Sequence, residues 1–360
     1  MESVPFSKEE LAVSEHWPPL FPGAPGAKKF KTPVTPRENY EALYKGELPH
    51  WLPLMADQCL LTPRIDPDNI ARGMALEVNP LSPEELVGGK DKFGIEWIYV
   101  PQVGGSTVKP GNPALEDAND WPKVIKFPDI SKWDWEGSAK ANAAYTTDGR
   151  ALTFSIFTGF YERLISFMDF ENAVVALIDD DQKDAVKDLF DKLAELYKEI
   201  ITNAKKQYNP LVINFHDDWG GQQAPFFSLA TVQEMIVPYL KKVVDHVHSQ
   251  GMYFDMHSCG KNELLVPAYI EAGCDSWGGA QSMNDKSMLY DKYGDKLIIG
   301  LDPDVALGPD TKTEDAVAAA KRFVAKYGPS MEKKSFLCSA MGTPPAFDET
   351  VYEESRKLFG

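Results

Sequence analysis

The chain has 360 residues and a formal charge of −17, from 37 Lys and Arg against 54 Asp and Glu. So acidic a surface repels phosphate backbones and anionic lipid, so neither nucleic acid nor a membrane surface is expected as a partner. With 43% hydrophobic and 25% charged residues, the composition suits a globular chain with a sizeable core and excludes general disorder.

The N-terminus, MESVPFSKEELAVSEHWPPLFPGAPG, carries acids where a secretory signal carries bases, and it lacks an apolar h-region. No run of about 18 apolar residues marks a membrane span. A cytoplasmic protein is therefore expected. Its four cysteines, Cys59, Cys259, Cys274 and Cys338, are too sparse for a disulfide framework and read as core thiols, nucleophiles or metal ligands.

Residues 1–33 are Pro- and Gly-rich and read as an arm over the surface. The body, 34–360, opens on a capping box, with Thr35 at the cap, Pro36 at the first helical position and Glu38 at the third. Residues 52–56 and 93–100 are predicted strands. Residues 101–150 are loop-like, with Pro, Gly and Trp, and long enough to be a functional insertion. From residue 151 strands alternate with helices. Strands are predicted at 151–157, 211–216, 252–257, 275–279, 297–301 and 335–338. Helical stretches run over 184–205 and 313–327, and one apolar stripe of Val232, Met235, Ile236, Tyr239, Leu240, Val243, Val244 and Val247 marks a third. Such alternation argues for a parallel sheet, and about eight such units for a closed (β/α)8 TIM barrel with an N-terminal extension.

Side chains alternate faces along a strand. In 211–218, Leu211, Ile213 and Phe215 share one face; Val212, Asn214, His216 and Asp218 share the other. In 252–259, Met252, Phe254 and Met256 oppose Tyr253, Asp255, His257 and Cys259. An interior filled for stability alone would be Val, Ile and Leu, so two polar inner faces point to a ligand-lined cavity at the C-terminal strand ends. His257-Ser258-Cys259 is the sharpest signal. Residues two apart project together, and imidazole with thiolate suits zinc. Cys338, at the end of the last predicted strand, is the candidate third ligand. In His216-Asp217-Asp218-Trp219 the two carboxylates leave opposite faces, so His216 and Asp218 are the candidates for proton work. Asn214, Asp217, Gln281 and Asp302 are candidate substrate contacts, and Trp97, Phe157 and Trp219 candidate aromatic walls for a ring-shaped substrate. There is no GxGxxG, P-loop, GxSxG or zincin helix pair.

From about residue 33 to the end the chain resembles the uroporphyrinogen decarboxylase superfamily. The resemblance rests on TPRENYEALYKGELPHWLPL, HDDWGGQQAPFFSLATVQEMIVPYLKKVVDHVHSQG, MHSCGKNELLVPAYIEAGCDSW and LIIGLDPDVALG. It implies a (β/α)8 barrel. True decarboxylases of that family carry an Arg-rich stretch after the first strand; MADQCLLTPRIDPD here has one Arg. The other branch holds zinc-dependent methyltransferases that work with corrinoid proteins, with a His-x-Cys after a middle strand and a late Cys as ligands. His257, Cys259 and Cys338 follow that order, although Ser339 stands where relatives carry Gly. The resemblance thus implies zinc, a corrinoid protein as partner, and a small methylated substrate; the candidate aromatic walls make an O-methyl aromatic the expected one. The alternative is a metal-free decarboxylase acting on another carboxylated substrate.

Overall fold

The computed structural model describes residues 4–13, 15–17, 28–68, 76–78, 88–100, 105–308, 310–329, 333–337 and 343–360. The chain is mixed α/β and divides into two compact units. One comprises Met1–Cys59, Thr147–Leu152 and Asp275–Gly360; the other comprises Leu60–Thr146 and Thr153–Cys274.

The second unit carries three parallel strands in chain order. Thr153–Ile156 pairs with Val212–Phe215, and Val212–His216 pairs with Tyr253–His257. Parallel pairing requires a crossover, and each is helical. Phe160–Ala176 and Lys183–Tyr208 lie between the first two strands. The second of these buries Val186, Leu189, Phe190, Leu193, Tyr197, Ile200, Ile201 and Ala204, one stripe at three- and four-residue steps. The stripe at 232–247 forms two helices, Leu229–Met235 and Val237–Ser249, rather than the single one predicted. The break falls at Ile236, because Pro238 has no N–H to donate back into the preceding turn and suits only the first turn of a new helix.

Two expectations for the front of this unit are corrected. The 93–100 strand exists as Glu96–Val100, but it is the middle strand of an antiparallel sheet with Gly88–Lys90 and Gly105–Val108. Asp91 makes the turn, its carboxylate accepting from the amides of Phe93 and Ile95 (2.9 and 3.0 Å). The 101–150 stretch is more ordered than a loop, with that third strand and short helices at Trp121–Val124, Trp135–Ala141 and Ala143–Thr146. Asp91 also reaches a buried ion network. Arg163 bonds Asp91 and Asp68, and Lys92 bonds Asp66 and Asp68 at 2.9 and 3.0 Å.

The first unit carries the parallel strands Ser276–Trp277, Ile298–Leu301 and Ser335–Leu337. The capping box forms as read: the amide of Glu38 donates to Thr35 Oγ1 (3.2 Å) and the amide of Thr35 to Glu38 Oε2 (2.7 Å), opening the Pro36–Lys45 helix. The strand expected at 52–56 is instead a 3-10 turn, Met55–Asp57, and the strand follows at Gln58–Leu61. Buried Asp57 turns the chain, its Oδ2 accepting from the Leu54 amide (2.9 Å) and the Trp51 indole (2.8 Å). The N-terminal arm is anchored. Glu10, in the Lys8–Leu11 turn, accepts from Arg356 Nε and Nη2 (2.8 and 2.9 Å) and from the Tyr352 hydroxyl (2.8 Å). Among the described residues no helix is long and apolar enough to cross a membrane.

Candidate metal centre

The site grows out of one strand pair. In the parallel register His216 lies opposite His257, and Asn214 opposite Asp255. The period of two then sends Asp218 and Cys259 to the same face one step further on. Register makes the imidazoles neighbours: their rings stack with centroids 4.1 Å apart and planes 13° from parallel. Past the last ladder residue, the Asp217 amide donates to the His257 carbonyl (2.9 Å), which holds the two strand ends together.

The loops beyond the strands turn the last two donors inward. Asp218 Oδ1 accepts from the Cys259 amide (2.6 Å), so the carboxylate and the thiol-bearing residue move as one. Fully buried Ser258 accepts the Trp219 amide on its Oγ (2.9 Å), and the Asn262 amide group donates to that Oγ (2.9 Å) and to the Cys259 carbonyl (2.5 Å). Gly260 sits at φ +90°, and a Cβ there would come within 2.2 Å of the Gly220 carbonyl oxygen. Only glycine permits this close crossing of the two loops.

His216, Asp218, His257 and Cys259 each present one donor atom, and all four atoms lie within 4.8 Å of one another. Zinc bonds of about 2.0–2.3 Å in a tetrahedron imply donor–donor edges of about 3.3–3.8 Å. Cys259 Sγ lies 3.4 Å from His257 Nε2, and His216 Nε2 lies 3.8 Å from Asp218 Oδ1. Two imidazoles, a thiol and a carboxylate fit zinc in chemistry and in spacing. His216 is further fixed from behind: its Nδ1 lies 2.9 Å from Glu162 Oε2, and both side chains are buried. A carboxylate on one ring nitrogen sets the tautomer that leaves Nε2 as a metal-facing lone pair.

The expected ligands His257 and Cys259 and the expected proton-transfer residues His216 and Asp218 therefore stand in one group. Cys338 lies outside the described residues. Phe157 packs its ring 5.4 Å from that of His216. Asn214 donates to Asp255 Oδ2 (2.8 Å). Asp217 and Trp219 were expected to meet substrate, but both are 0% exposed. Asp217 is turned under the start of the Phe160–Ala176 helix, where it accepts from the amides of Tyr161 (3.1 Å) and Glu162 (2.8 Å) and from the Trp219 indole (2.8 Å). Burial, with the Glu162 carboxylate nearby, pushes its pKa up to about 7. Trp97 is buried in the antiparallel sheet with its indole donating to Asp91 (3.0 Å). In the other unit, Asp302 pairs with Lys286 (2.6 Å), and the Gln281 carbonyl accepts from the Asn284 side chain (3.1 Å). Sequence reasoning missed Glu162, Ser258 and Asn262. Glu162 had one usable signal, an acid in the first turn of a helix that follows a strand.

The family model for uroporphyrinogen decarboxylase (URO-D) matches residues 154–349, more than half of the chain and a span that includes all four donors. No protein of curated function matches the chain by sequence. Among solved structures, one match is the crystal structure of an IolI protein with a bound zinc atom, at 8% identity, covering 64% of this chain and 84% of that one with a TM-score of 0.28. That likeness is too slight to carry fold or function. The family match alone decides the assignment: this chain belongs to the uroporphyrinogen decarboxylase family.

Proposed function

We propose that this protein is a cytoplasmic, zinc-dependent methyltransferase built on a (β/α)8 barrel. In this reading it moves a methyl group between a small methylated compound, in the first instance an O-methyl aromatic, and the cobalt of a corrinoid carried by a partner protein. The observation that carries the reading is the donor set itself. A thiol, two imidazoles and a carboxylate converge at the ends of two adjacent strands. The chain's MADQCLLTPRIDPD has only one Arg for substrate carboxylates.

Zinc bound there would act as a Lewis acid that favours departure of the substrate oxygen. The methyl carbon–oxygen bond breaks with its electron pair on oxygen, which takes up a proton, and the carbon bonds to reduced cobalt. The protein's own residues prepare this. His257 and Cys259 would hold the ion. His216, oriented by Glu162, offers Nε2. Asp218 stands where it serves as a further ligand or hands the proton to the leaving oxygen. Phe157, its ring tilted against that of His216, would back the site with an apolar wall.

Zinc analysis with a methyl-transfer assay tests the reading. The wild type is expected to hold about one zinc per chain and to methylate reduced free corrinoid from at least one methoxyaromatic. Cys259→Ala should lose both the metal and the activity. Glu162→Gln should stay folded and weaken zinc binding by about 10–100-fold. A protein free of zinc that decarboxylates at an unchanged rate after Cys259→Ala would replace this reading with the metal-free decarboxylase.

A further inference from the structure

A closed set of hydrogen bonds ties the two donor loops together, and one side chain completes it. Asn262 stands three residues beyond Cys259 and is fully buried. A side-chain amide carries two hydrogens on its nitrogen. Asn262 directs both to its own loop, one to Ser258 Oγ (2.9 Å) and one to the Cys259 carbonyl (2.5 Å). The same Ser258 Oγ accepts from the amide of Trp219, the residue after Asp218 (2.9 Å), and the Cys259 amide donates to Asp218 Oδ1 (2.6 Å). Cys259 is thus gripped at its amide by Asp218 and at its carbonyl by Asn262. Asn262 also lies directly against the other loop, since a Cβ on Gly220 would come within 2.3 Å of Asn262 Oδ1. Its own backbone is fixed in turn, the carbonyl accepting from the Leu265 amide (2.8 Å) at the Glu263–Leu265 turn.

We infer that Asn262 is a positioning residue of the metal centre, acting on the ion only through Cys259 and Asp218. This rests on the reading of the four donors as a zinc site, not on methyl transfer. Groups that orient a ligand tune its metal affinity, and their loss weakens binding even when every ligand is present. His216 and His257 end two paired strands, and the ladder fixes them. Cys259 and Asp218 lie beyond that ladder, so side-chain bonds must hold them in its place. Asn262 reaches both, Cys259 directly and Asp218 through Ser258 and the Trp219 amide. The position calls for an uncharged donor. An aspartate of the same size has no hydrogen to give and would set a charged oxygen against the Cys259 carbonyl.

Two readouts test this together: zinc affinity by competition with a chelator, and the absorption spectrum of the cobalt(II)-loaded protein, whose sulfur-to-cobalt charge-transfer band reports the thiolate bond itself. The wild type should bind both ions. Asn262→Asp should weaken zinc binding by about 10–100-fold and lose most of that band. Ser258→Ala cuts the link to Trp219 and leaves the one to Cys259, so it should weaken zinc by about fivefold and keep the band. Glu10→Ala, a destabilising change in the other unit, should alter neither readout. If Asn262→Asp unfolds at lower urea yet keeps the wild-type zinc affinity and spectrum, Asn262 only stabilises its loop; that result overturns the inference and leaves the methyltransferase reading standing. An equal loss of zinc in Glu10→Ala overturns it as well. Should Asn262→Asp fail to fold, Ser258→Ala decides, and a loss of less than about twofold overturns the inference. A wild type that binds neither ion overturns the inference and the zinc-site reading together.

Discussion

Asp57 shows how one side chain sets a pH response. Burial pushes its pKa up to about 6 despite the hydrogen bonds from Trp51 and Leu54, and burial with Asp57 nearby pushes Asp348 up to about 7. A carboxyl raised in the folded state binds more protons there than in the unfolded chain. Its contribution to stability is full at low pH and declines as pH rises from the unfolded value near 4 through the folded one. Asp57→Asn keeps an oxygen for both donors and removes the charge. The variant should match the wild type at pH 4 and exceed it at pH 8 by an amount on the order of 3 kcal/mol, read from urea titrations. An equal difference at both pH values would refute the assignment. At this scale the sequence was most legible where function needs only the period of two. His257 and Cys259 on one face, and Asp218 rather than Asp217 beside them, follow from alternation. Glu162 was not legible, because its meeting with His216 spans 54 residues and depends on how a helix start abuts the next strand.

Among elements, the crossing of the two loops after the site strands is a tight backbone constraint. Gly260→Ala must strain both a left-handed backbone and the Gly220 carbonyl, and we expect it to cost more than about 2 kcal/mol. Differential scanning calorimetry should show a melting temperature lower by about 3 °C or more. A variant that melts with the wild type would mean that the loops can part without penalty. Element types came through where periodicity was long, as in Lys183–Tyr208 and Thr313–Tyr327. They failed where a local contact outweighed pattern. Pro238 cuts one apolar stripe into two helices. Asp57 folds apolar residues into a turn ahead of the strand expected there. Glu96–Val100 has strand composition, but its partners, and so its antiparallel sense, lie in segments too Gly-rich to announce themselves.

Across the whole chain, residue 10 is fastened to residue 356. The Glu10–Arg356 pair is enclosed, with the arginine 0% exposed, so the Lys8–Leu11 turn is pinned to the Pro345–Phe359 helix. Glu10→Ala strands a buried guanidinium and should cost about 3–5 kcal/mol in chemical denaturation. Replacing Arg356 by Leu in the same protein should restore part of that loss, and the lack of any recovery would assign the effect to packing instead. The parallel α/β character of the molecule was readable from strand–helix alternation. The division into two units was not, because each is assembled from separated stretches of chain, and sequence order says little about which stretches will pack together.

His216, Asp218, His257 and Cys259 fall at and just beyond the ends of two neighbouring strands, joined by a crossover of two helices. These four are therefore synthesised within 44 residues of one another. A metal taken up by these four would clamp this strand pair while the strands that follow it were still being sorted.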